Sequence, residues 1–405
     1  MNLKILNDNG SINIYEIKKE KFVDKNLKAK VSYISSSSKE KNALNIFTSY
    51  FSDSKSILFD DSNKLLVQKL KELQIPEFNT PSFHNTIFHN KDFSFVYFTS
   101  GSTGESTAAL KTKDNIISEM KSLSTLLKKY EIKKVVVTVP FIHIYGSLTG
   151  LFYPYFNDID IELREHFLPN DLLDAVEENT LVVTTPLYIK ALNKSSTKKD
   201  LSKSIFLSST APLDQKDAKE FNEKFSCNIV QLFGSTETGG IAYKFNDESL
   251  WTPLKSVIIE TNNNNELKVS SPFVSNELYE KEFINTNGKI QTFDYIESTG
   301  NQFKLIGRSS QILKIAGKRY STIQIENILE SQDLIEKALV FVKNDQKSLR
   351  GEVLDITLES KRIYTSKEIK KILQSTLSNL KFSMELKYVD TIPTSIVGKK
   401  LRVNI

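Results

Sequence analysis

The chain has 405 residues, a formal net charge of +5 at pH 7 and 39% hydrophobic residues, which predicts a packed large domain plus a small one. Its single cysteine, Cys227, excludes an internal disulfide and a cysteine-rich metal site. No signal-peptide core and no run of about 18 apolar residues is present, so we expect a cytoplasmic protein without a membrane span.

The first part of the sequence alternates between strand and helix patterns. In chain order the predicted elements are a strand at 56–59, a helix at 63–73, a strand at 93–99, a helix from about 116 to 130, strands at 134–139, 181–185 and 204–207, a helix at 214–225 and a strand at 228–232. Such alternation implies parallel strands covered by helices.

The helical signal fades between about 240 and 305, where Asn262–Asn265 is predicted to form a hairpin turn. The C-terminal part is predicted to contain a helix near 323–331, strands near 338–342 and 353–358, a helix at 366–380 and a strand at 386–389. The predicted fold class is therefore α/β. A large N-terminal domain with helix-covered, mostly parallel sheets precedes a small C-terminal α+β lid domain.

A cluster of hydroxyl residues and glycines follows the predicted strand at 93–99. Its members are Thr99, Ser100, Gly101, Ser102, Thr103 and Gly104. A turn of this composition points N–H groups and hydroxyls into one cavity, which suits a polyphosphate. No lysine follows Gly104 at the position that a Walker A loop requires. The same composition is also typical of ordinary loops.

Four further landmarks follow this loop in chain order. They are Phe233–Glu237 (FGSTE), Asp294, Gly307 with Arg308, and Pro393–Lys399 (PTSIVGK). With them the chain, from about residue 93 to its end, resembles the adenylate-forming superfamily of acyl-CoA synthetases, adenylation domains and luciferases. Each motif alone is modest, but the ordered set is specific.

The resemblance implies activation of a carboxylic acid by ATP, with attack of the carboxylate on the α-phosphate and loss of pyrophosphate. It implies that Thr99–Gly104 bind the β- and γ-phosphates and that Thr236 hydrogen-bonds the α-phosphate. It also implies that Glu237 holds Mg²⁺ and that Lys399 supplies positive charge at the attacked phosphate. ATP and Mg²⁺ are therefore the expected cofactors.

The nucleoside and the acid are assigned to further residues by the same resemblance. Phe233 offers a flat face to adenine, and Asp294 accepts hydrogen bonds from the ribose hydroxyls. His143, in Pro140–Gly146 (PFIHIYG), corresponds to a histidine beside the acyl site. The remaining expected contacts are made by Ala211 in the small-residue turn 208–213, by Gly234 and Ser235, and by Arg308 before the hinge.

Structural alternatives stand beside these roles. Phe233 and His143 are also compatible with core positions, and Glu237 with capping of a turn. Asp294 is compatible with a strand end, and Lys399 with a solvated basic tail. Cys227 is expected to be a small buried side chain rather than a catalytic group.

The sequence departs from the family pattern in four places. Glu105–Thr107 stands where a lysine usually follows the loop, and Phe293 replaces the glycine before the ribose-binding aspartate. Ser309 and Ser310 occupy the hinge position that usually carries a charge. The region before the loop is also short. These departures leave a nucleotide-binding pseudoenzyme as an alternative, whereas a serine hydrolase is disfavoured because no G-x-S-x-G turn exists.

Three segments, Thr138–Gly146 (TVPFIHIYG), Gly234–Ala242 (GSTETGGIA) and Trp251–Leu254 (WTPL), resemble the short acid–AMP ligases found with aryl-polyene and dialkylresorcinol biosynthesis genes. We therefore expect residues 1–307 to bind ATP and an aryl or fatty acid, and residues 308–405 to rotate for thiol transfer. From Arg308 to the end, 18 basic residues against 11 acidic ones give +7. This imbalance favours an acyl carrier protein over coenzyme A, although an ordinary acyl-CoA synthetase remains open. No nucleic-acid partner is expected.

Overall fold

The computed structural model describes residues 1–35, 38–61, 64–78, 80, 85–98, 107–308, 312–315, 318–344, 352–377, 383–394 and 400. These residues form two compact units. The first unit comprises Met1–Ile259 and Val269–Ile290, and the second comprises Glu260–Lys268 and Gln291–Ile405. Among the described helices, none is both long and apolar enough to cross a membrane.

Strands and helices alternate along most of the first unit. Up to residue 156 the elements are β1 (Asn2–Leu6), β2 (Ile12–Glu16), α1 (Lys19–Phe22), β3 (Val31–Ile34), α2 (Lys39–Phe51), β4 (Lys55–Leu58), α3 (Lys64–Glu72), β5 (Phe95–Phe98), β6 (Ala108–Lys111), α4 (Lys113–Leu127), β7 (Lys134–Val137), α5 (Ile144–Ser147) and α6 (Tyr153–Phe156). From residue 160 to 285 the chain forms β8 (Asp160–Leu163), α7 (Pro169–Ala175), β9 (Thr180–Thr184), α8 (Pro186–Lys194), β10 (Ile205–Ser208), α9 (Gln215–Phe225), β11 (Asn228–Ser235), β12 (Gly239–Phe245), β13 (Thr252–Pro253), β14 (Ile258–Thr261), β15 (Glu266–Ser270), β16 (Glu277–Tyr279) and β17 (Phe283–Asn285). Of these, β14 and β15 lie partly within residues 260–268, which belong to the second unit.

The largest sheet has nine strands within the described ranges, in the order β13-β12-β11-β10-β9-β7-β8-β1-β2. The six central strands of this order, from β11 to β1, pair in parallel. Antiparallel strands flank them, with β12 and β13 at one edge and β2 at the other. A second sheet of the same unit has the order β17-β16-β6-β5-β4-β3. The nine-stranded sheet is the one that positions the candidate site.

Both faces of the nine-stranded sheet are covered. Val135 and Val137 of β7 enter one hydrophobic cluster, whereas Val136 between them enters another. Side chains alternate across a strand, so a continuous valine run can be buried on both sides only when both faces are packed. Packing on both faces explains why the sequence of such a strand is an unbroken run of apolar residues.

The second unit is built from smaller sheets. Its further elements are β18 (Lys289–Thr299), β19 (Gln302–Arg308), β20 (Ile312–Ile315), β21 (Lys318–Ser321), α10 (Thr322–Glu330), β22 (Ile335–Asn344), β23 (Glu352–Ser360), α11 (Ser366–Thr376) and β24 (Ser383–Tyr388). Strands β14, β15, β18 and β19 form one sheet, β20 pairs with β21, and β22, β23 and β24 form the third. Helices α10 and α11 contribute Ile325, Leu329, Ile369 and Leu373 to the core above the third sheet.

The α/β class with helix-covered, mostly parallel strands and a small α+β portion is confirmed. The hairpin turn at Asn262–Asn265 is also confirmed, since Asn262 N donates to Glu266 O at 3.0 Å and Asn265 has φ +61°. The compact units divide the chain at residue 290, with a short excursion at 260–268. The predicted domain boundary at 307/308 marks where residues 308–405 would begin to rotate for thiol transfer, and it stays a prediction.

Candidate active site

Three neighbouring parallel strands of the first unit end at the same edge of the nine-stranded sheet. β9 ends at Thr184, β10 at Ser208 and β11 at Ser235. In open α/β sheets, ligands bind outside the carboxyl ends of the strands. This edge is therefore the first place to look for a site, and the predicted site residues Ala211 and Phe233–Glu237 all follow or end these strands.

The turn after β10 combines unpaired polar atoms with backbone strain. Among the described residues, the buried Ser208 Oγ and Thr210 Oγ1 have no hydrogen-bond partner. Thr210 has φ +78°, a region that non-glycine residues rarely adopt. Ser209 Oγ donates to Leu232 O at 2.9 Å, which holds the turn and the following Ala211 against β11. Unsatisfied polar groups and strain together are typical of a ligand site.

A tight hairpin joins β11 to β12 and carries Thr236 and Glu237 at its tip. Gly234 pairs with Gly240, and Ser235 with Gly239. A Cβ on Gly234 would lie 2.3 Å from Gly239 O, so only glycine fits there. Within the tip, Ser235 N donates to Thr238 Oγ1 at 3.1 Å and Thr238 N donates to Ser235 Oγ at 3.2 Å.

The chemistry of the tip fits Mg²⁺ held together with a bound polyphosphate. Glu237 and Thr236 are half-buried, and no described residue donates a side-chain or backbone hydrogen bond to the Glu237 carboxylate. Mg²⁺ is usually bound by one or two carboxylates plus substrate phosphates and water. The described residues contain no cluster of three or more metal-ligating side chains. A single carboxylate supplemented by phosphate oxygens is therefore the compatible arrangement.

The aromatic face predicted for adenine has a second ring beside it. The centroids of Phe233 and Trp251 lie 5.6 Å apart at an interplanar angle of 52°. Lys244 Nζ lies 5.0 Å from the Trp251 ring centroid, within cation–π range. The half-buried Phe233 therefore packs against Trp251, which supports its interpretation as a platform.

His143 lies after β7, directly before α5. Burial lowers its pKa, and the negative charge of Asp60 opposes that shift. Its Nε2 is buried and has no hydrogen-bond partner among the described residues. The neighbouring Tyr145 hydroxyl donates to Leu207 O at 2.6 Å and Thr184 O at 3.0 Å, which ties this segment to the ends of β9 and β10. His143 is therefore brought to the same edge, and its role stays a prediction.

The second unit brings Asp294 and Arg308 together. They are paired across β18 and β19, and Arg308 Nε lies 3.3 Å from Asp294 Oδ1. Asp294 is 7% exposed, while Phe293 before it is 70% exposed. Asp294 N donates to Thr292 Oγ1 at 3.1 Å, which fixes its backbone.

Several predicted residues lie outside the described part of the chain. They are Thr99, Ser100, Gly101, Ser102, Thr103, Gly104, Glu105, Ser106, Ser309, Ser310 and Lys399. The strands on either side of the loop are described: β5 and β6 are antiparallel, with Phe98 opposite Ala108. The strand predicted before the loop is therefore present, and the binding roles of these residues stay predictions.

Sequence reasoning missed two charged residues under the hairpin tip. Lys111 is 1% exposed at the end of β6, and Glu119 is partly buried on α4. Burial lowers the pKa of Lys111 to about 8, opposed by the charges of Glu119 and Glu237. Burial raises the pKa of Glu119, opposed by Lys111 and by the Gly240 N–H. The sequence signal that could have identified Lys111 is a lysine directly after the apolar run Ala108–Leu110.

Cys227 matches its expected structural role. It is fully buried, and burial raises the pKa of its thiol, which disfavours the reactive thiolate.

Comparison with known proteins identifies the family. The family model for AMP-binding enzymes matches residues 21–272, well over half of the chain. The putative long chain fatty acid-CoA ligase VraA of Staphylococcus haemolyticus is 27% identical over 323 residues, which cover 77% of this chain and 69% of VraA. The probable 4-coumarate–CoA ligase 1 of Dictyostelium discoideum is 25% identical over 352 residues, covering 78% of this chain and 63% of that protein.

Solved structures show the same fold over nearly the whole chain. O-succinylbenzoate coenzyme A synthetase (MenE) of Bacillus subtilis, with ATP and magnesium ion, gives a TM-score of 0.80 at 16% identity and covers 98% of this chain and 95% of its own. ATP-bound MatB of Rhodopseudomonas palustris gives 0.77 at 14% identity, covering 98% and 93%. The chain therefore belongs to the AMP-binding enzymes of the adenylate-forming superfamily and is an AMP-forming acid–thiol ligase.

Proposed function

We propose that this ligase activates an aryl or fatty acid as the acyl adenylate and transfers the acyl group to the phosphopantetheine thiol of an acyl carrier protein. In the first step the carboxylate oxygen attacks the α-phosphorus of ATP and pyrophosphate leaves. In the second step the thiol sulfur attacks the acyl carbon, AMP leaves, and the thiol proton is released.

The hairpin tip is the observation that carries the adenylation step. Thr236 and Glu237 stand at the carboxyl edge of the sheet on a backbone fixed by Ser235 and Thr238. Phosphoryl transfer depends mainly on positioning and on stabilisation of charge, so a rigid tip suits it. When bound, Mg²⁺ would supply charge neutralisation on the phosphates, with Glu237 holding it.

The remaining roles follow the family resemblance and residue chemistry. The loop Thr99–Gly104 would bind the outer phosphates, Phe233 would stack on adenine, and Asp294 would accept from the ribose hydroxyls. Lys399 would place its ammonium at the α-phosphate, where negative charge spreads in the transition state. Residues 308–405 would then turn to admit the thiol.

The choice of a carrier protein is supported by one helix of the second unit. Lys367, Lys370 and Lys371 recur on α11 at spacings of three and four, which place them on one face. Lys367 and Lys371 are exposed, and the nearby Ile363 is 77% exposed. An acidic, partly apolar protein surface would complement this face.

Coenzyme A is the second candidate acceptor because the two similar proteins described above, from Staphylococcus haemolyticus and Dictyostelium discoideum, are CoA ligases by name. Two of the basic residues that contribute to the +7 excess after Arg308 form ion pairs within the second unit. Lys361 Nζ lies 3.1 Å from Glu336, and Lys387 Nζ lies 3.4 Å from Asp355. Among the described basic residues, Lys367, Lys370 and Lys371 on α11 therefore carry the argument for a carrier protein.

An acceptor competition tests the proposal. The protein is incubated with ATP, Mg²⁺, an active acid and equal thiol concentrations of coenzyme A and a panel of holo acyl carrier proteins. Mass spectrometry then measures each thioester. We expect at least one carrier to be acylated faster than coenzyme A, and faster transfer to coenzyme A than to every carrier would overturn the carrier assignment.

A further inference from the structure

We propose that Lys111 on β6 and Glu119 on α4, each through its own hydrogen bonds to the backbone, together position the Ser235–Gly240 hairpin tip for binding the phosphates. Neither residue touches the reacting atoms, so both are positioning residues. The inference rests on the proposed function for its catalytic consequence, but its structural part can be tested without any activity.

Lys111 fixes the middle of the tip. Its Nζ donates to Glu237 O at 3.2 Å and to Phe273 O at 2.5 Å. The Glu237 carbonyl also accepts from Ser275 N at 2.9 Å. Two donors, Lys111 Nζ and Ser275 N, therefore hold the Glu237 carbonyl. Because this fixes the backbone at Glu237, it also fixes the direction in which the side chain leaves the backbone.

Glu119 fixes the end of the tip. Its Oε1 accepts from Gly240 N at 2.8 Å. A Cβ on Gly239 would lie 2.5 Å from Glu119 Oε2, so the glycine leaves the room that the carboxylate occupies. Gly239 also has φ +71°, which favours glycine in its own right.

The start of α4 extends the same support to a neighbouring segment. Asn115 Nδ2 donates to Pro272 O at 2.9 Å and to Val274 O at 3.1 Å, on both sides of the Phe273 carbonyl that Lys111 contacts. The corner between β6 and α4 therefore holds the tip and the 272–274 segment as one body within the first unit.

The chemistry of the two residues argues against a role in stability alone. A buried ammonium is costly to desolvate, and replacing all members of a buried ionic group together by apolar side chains is often neutral or stabilising. The preceding Ala108–Leu110 are all fully buried, so an apolar side chain at position 111 would continue that packing. What an apolar side chain cannot do is donate to the Glu237 and Phe273 carbonyls.

The test compares Lys111→Met with Lys39→Met. Lys39 is a matched control because it is also buried in the first unit and donates to two main-chain carbonyls, Thr138 O at 3.0 Å and Arg164 O at 3.1 Å. Glu119→Gln is the second variant, since it keeps size and an acceptor oxygen while removing the charge. Circular dichroism and urea unfolding establish that each variant is folded.

The first readout is hydrogen exchange of the backbone amides in 235–240. Lys111→Met should accelerate it at least about tenfold while Lys39→Met leaves it near the wild-type rate. The second readout is acid-dependent ATP–pyrophosphate exchange. Lys111→Met should lower kcat by about 10- to 100-fold and raise the Mg²⁺ concentration for half-activation, because misplacement by about 1 Å has effects of this size. Glu119→Gln should change both readouts in the same direction, but less.

Wild-type tip exchange and wild-type Mg²⁺ activation in a folded Lys111→Met would overturn the inference. So would equal kinetic losses in Lys111→Met and Lys39→Met, since that result would indicate general damage. An inactive wild-type protein would instead contradict the proposed function, and the amide exchange would still decide whether the two residues hold the tip.

Discussion

Lys39 and Lys111 are among the buried lysines in the described part of the first unit, and both donate only to main-chain carbonyls. Lys39 is 8% exposed, and burial lowers its pKa to about 8 despite the opposing charge of Glu165. Each lysine satisfies its donors with main-chain carbonyls rather than with a carboxylate. Such residues cost solvation energy, so their protonation couples to stability.

The stability of the protein should therefore rise with pH in a defined window because of Lys39. Below about pH 8 both the folded and the unfolded state carry the proton. Between about 8 and 10.5 the unfolded chain still binds it and the folded state does not, so the free energy of unfolding increases. The slope from one group is at most about 1.4 kcal/mol per pH unit.

Urea unfolding of wild type and Lys39→Met at several pH values isolates this contribution, because Lys111 titrates in both proteins. The stability of the wild type relative to Lys39→Met should grow from pH 8 to pH 10. A difference that stays constant over this range would show that Lys39 is not the titrating group.

Asp294 provides a test of nucleotide binding. Asp294→Ala should weaken ATP and AMP binding by about 1.5–3 kcal/mol, the usual loss for hydrogen bonds to a charged group. Its partner Arg308 has a side chain that is 43% exposed, so the substitution does not leave a buried unpaired charge. Calorimetry on the folded variant measures the loss, and unchanged affinity would mean that the ribose binds elsewhere.

For individual residues, sequence motifs identified candidate site residues but could not show which residues contact one another. Asp294 and Arg308 could be proposed separately, and their pairing depends on the β18–β19 register. Lys111 and Glu119 belong to no motif, and their meaning arises only when β6 and α4 are placed under a hairpin more than a hundred residues later.

Helix α10 forms ion pairs with Lys400, the residue directly after Lys399. Lys400 Nζ lies 2.7 Å from Glu326 Oε2 and 2.6 Å from Glu330 Oε1, and it donates to Ala338 O at 2.8 Å. The two glutamates are one helical turn apart, and their side chains are 2% and 17% exposed. These contacts join Lys400 to α10 and β22.

Lys400→Met should destabilise the second unit by about 3–5 kcal/mol because it leaves buried carboxylates without their cation. Lys361→Ala is the control, since its exposed pair with Glu336 contributes at most about 1 kcal/mol. Chemical unfolding measures both, and adding Glu326→Gln to Lys400→Met should restore part of the loss. A Lys400→Met protein as stable as Lys361→Ala would refute this stabilising role of Lys400.

The elements with strong periodicity were predictable, and those without it were not. The valine run of β7 and the helix α9 appear close to their predicted positions. By contrast, β1, β2, β3 and α2 were not predicted, because the first 55 residues mix apolar and charged side chains without a clear period. Helix α2 is defined by packing, as Phe47 and Phe51 join an aromatic cluster with Phe152.

Across the whole molecule, the excess of positive charge after Arg308 provides a way to distinguish an acyl carrier protein from coenzyme A as the acceptor. If α11 docks an acidic carrier protein, carrier loading should fall steeply as salt rises, because salt screens attraction between extended charged surfaces. Charge reversal at Lys370 and Lys371 should slow loading while leaving pyrophosphate exchange unchanged. The matched control is charge reversal at the paired Lys361. Equal loading by all three proteins would remove α11 from the docking surface.

Acid adenylation by this protein is tested most directly by ATP–pyrophosphate exchange across a panel of aryl and fatty acids, with wild type, Lys399→Ala and Lys361→Ala. We predict exchange that depends on one class of acid. We also predict a loss of about 100-fold in Lys399→Ala, equivalent to about 3 kcal/mol of transition-state stabilisation, and wild-type rates in Lys361→Ala. Absence of exchange with every acid would contradict the adenylating activity, and wild-type exchange in Lys399→Ala would contradict the role of Lys399.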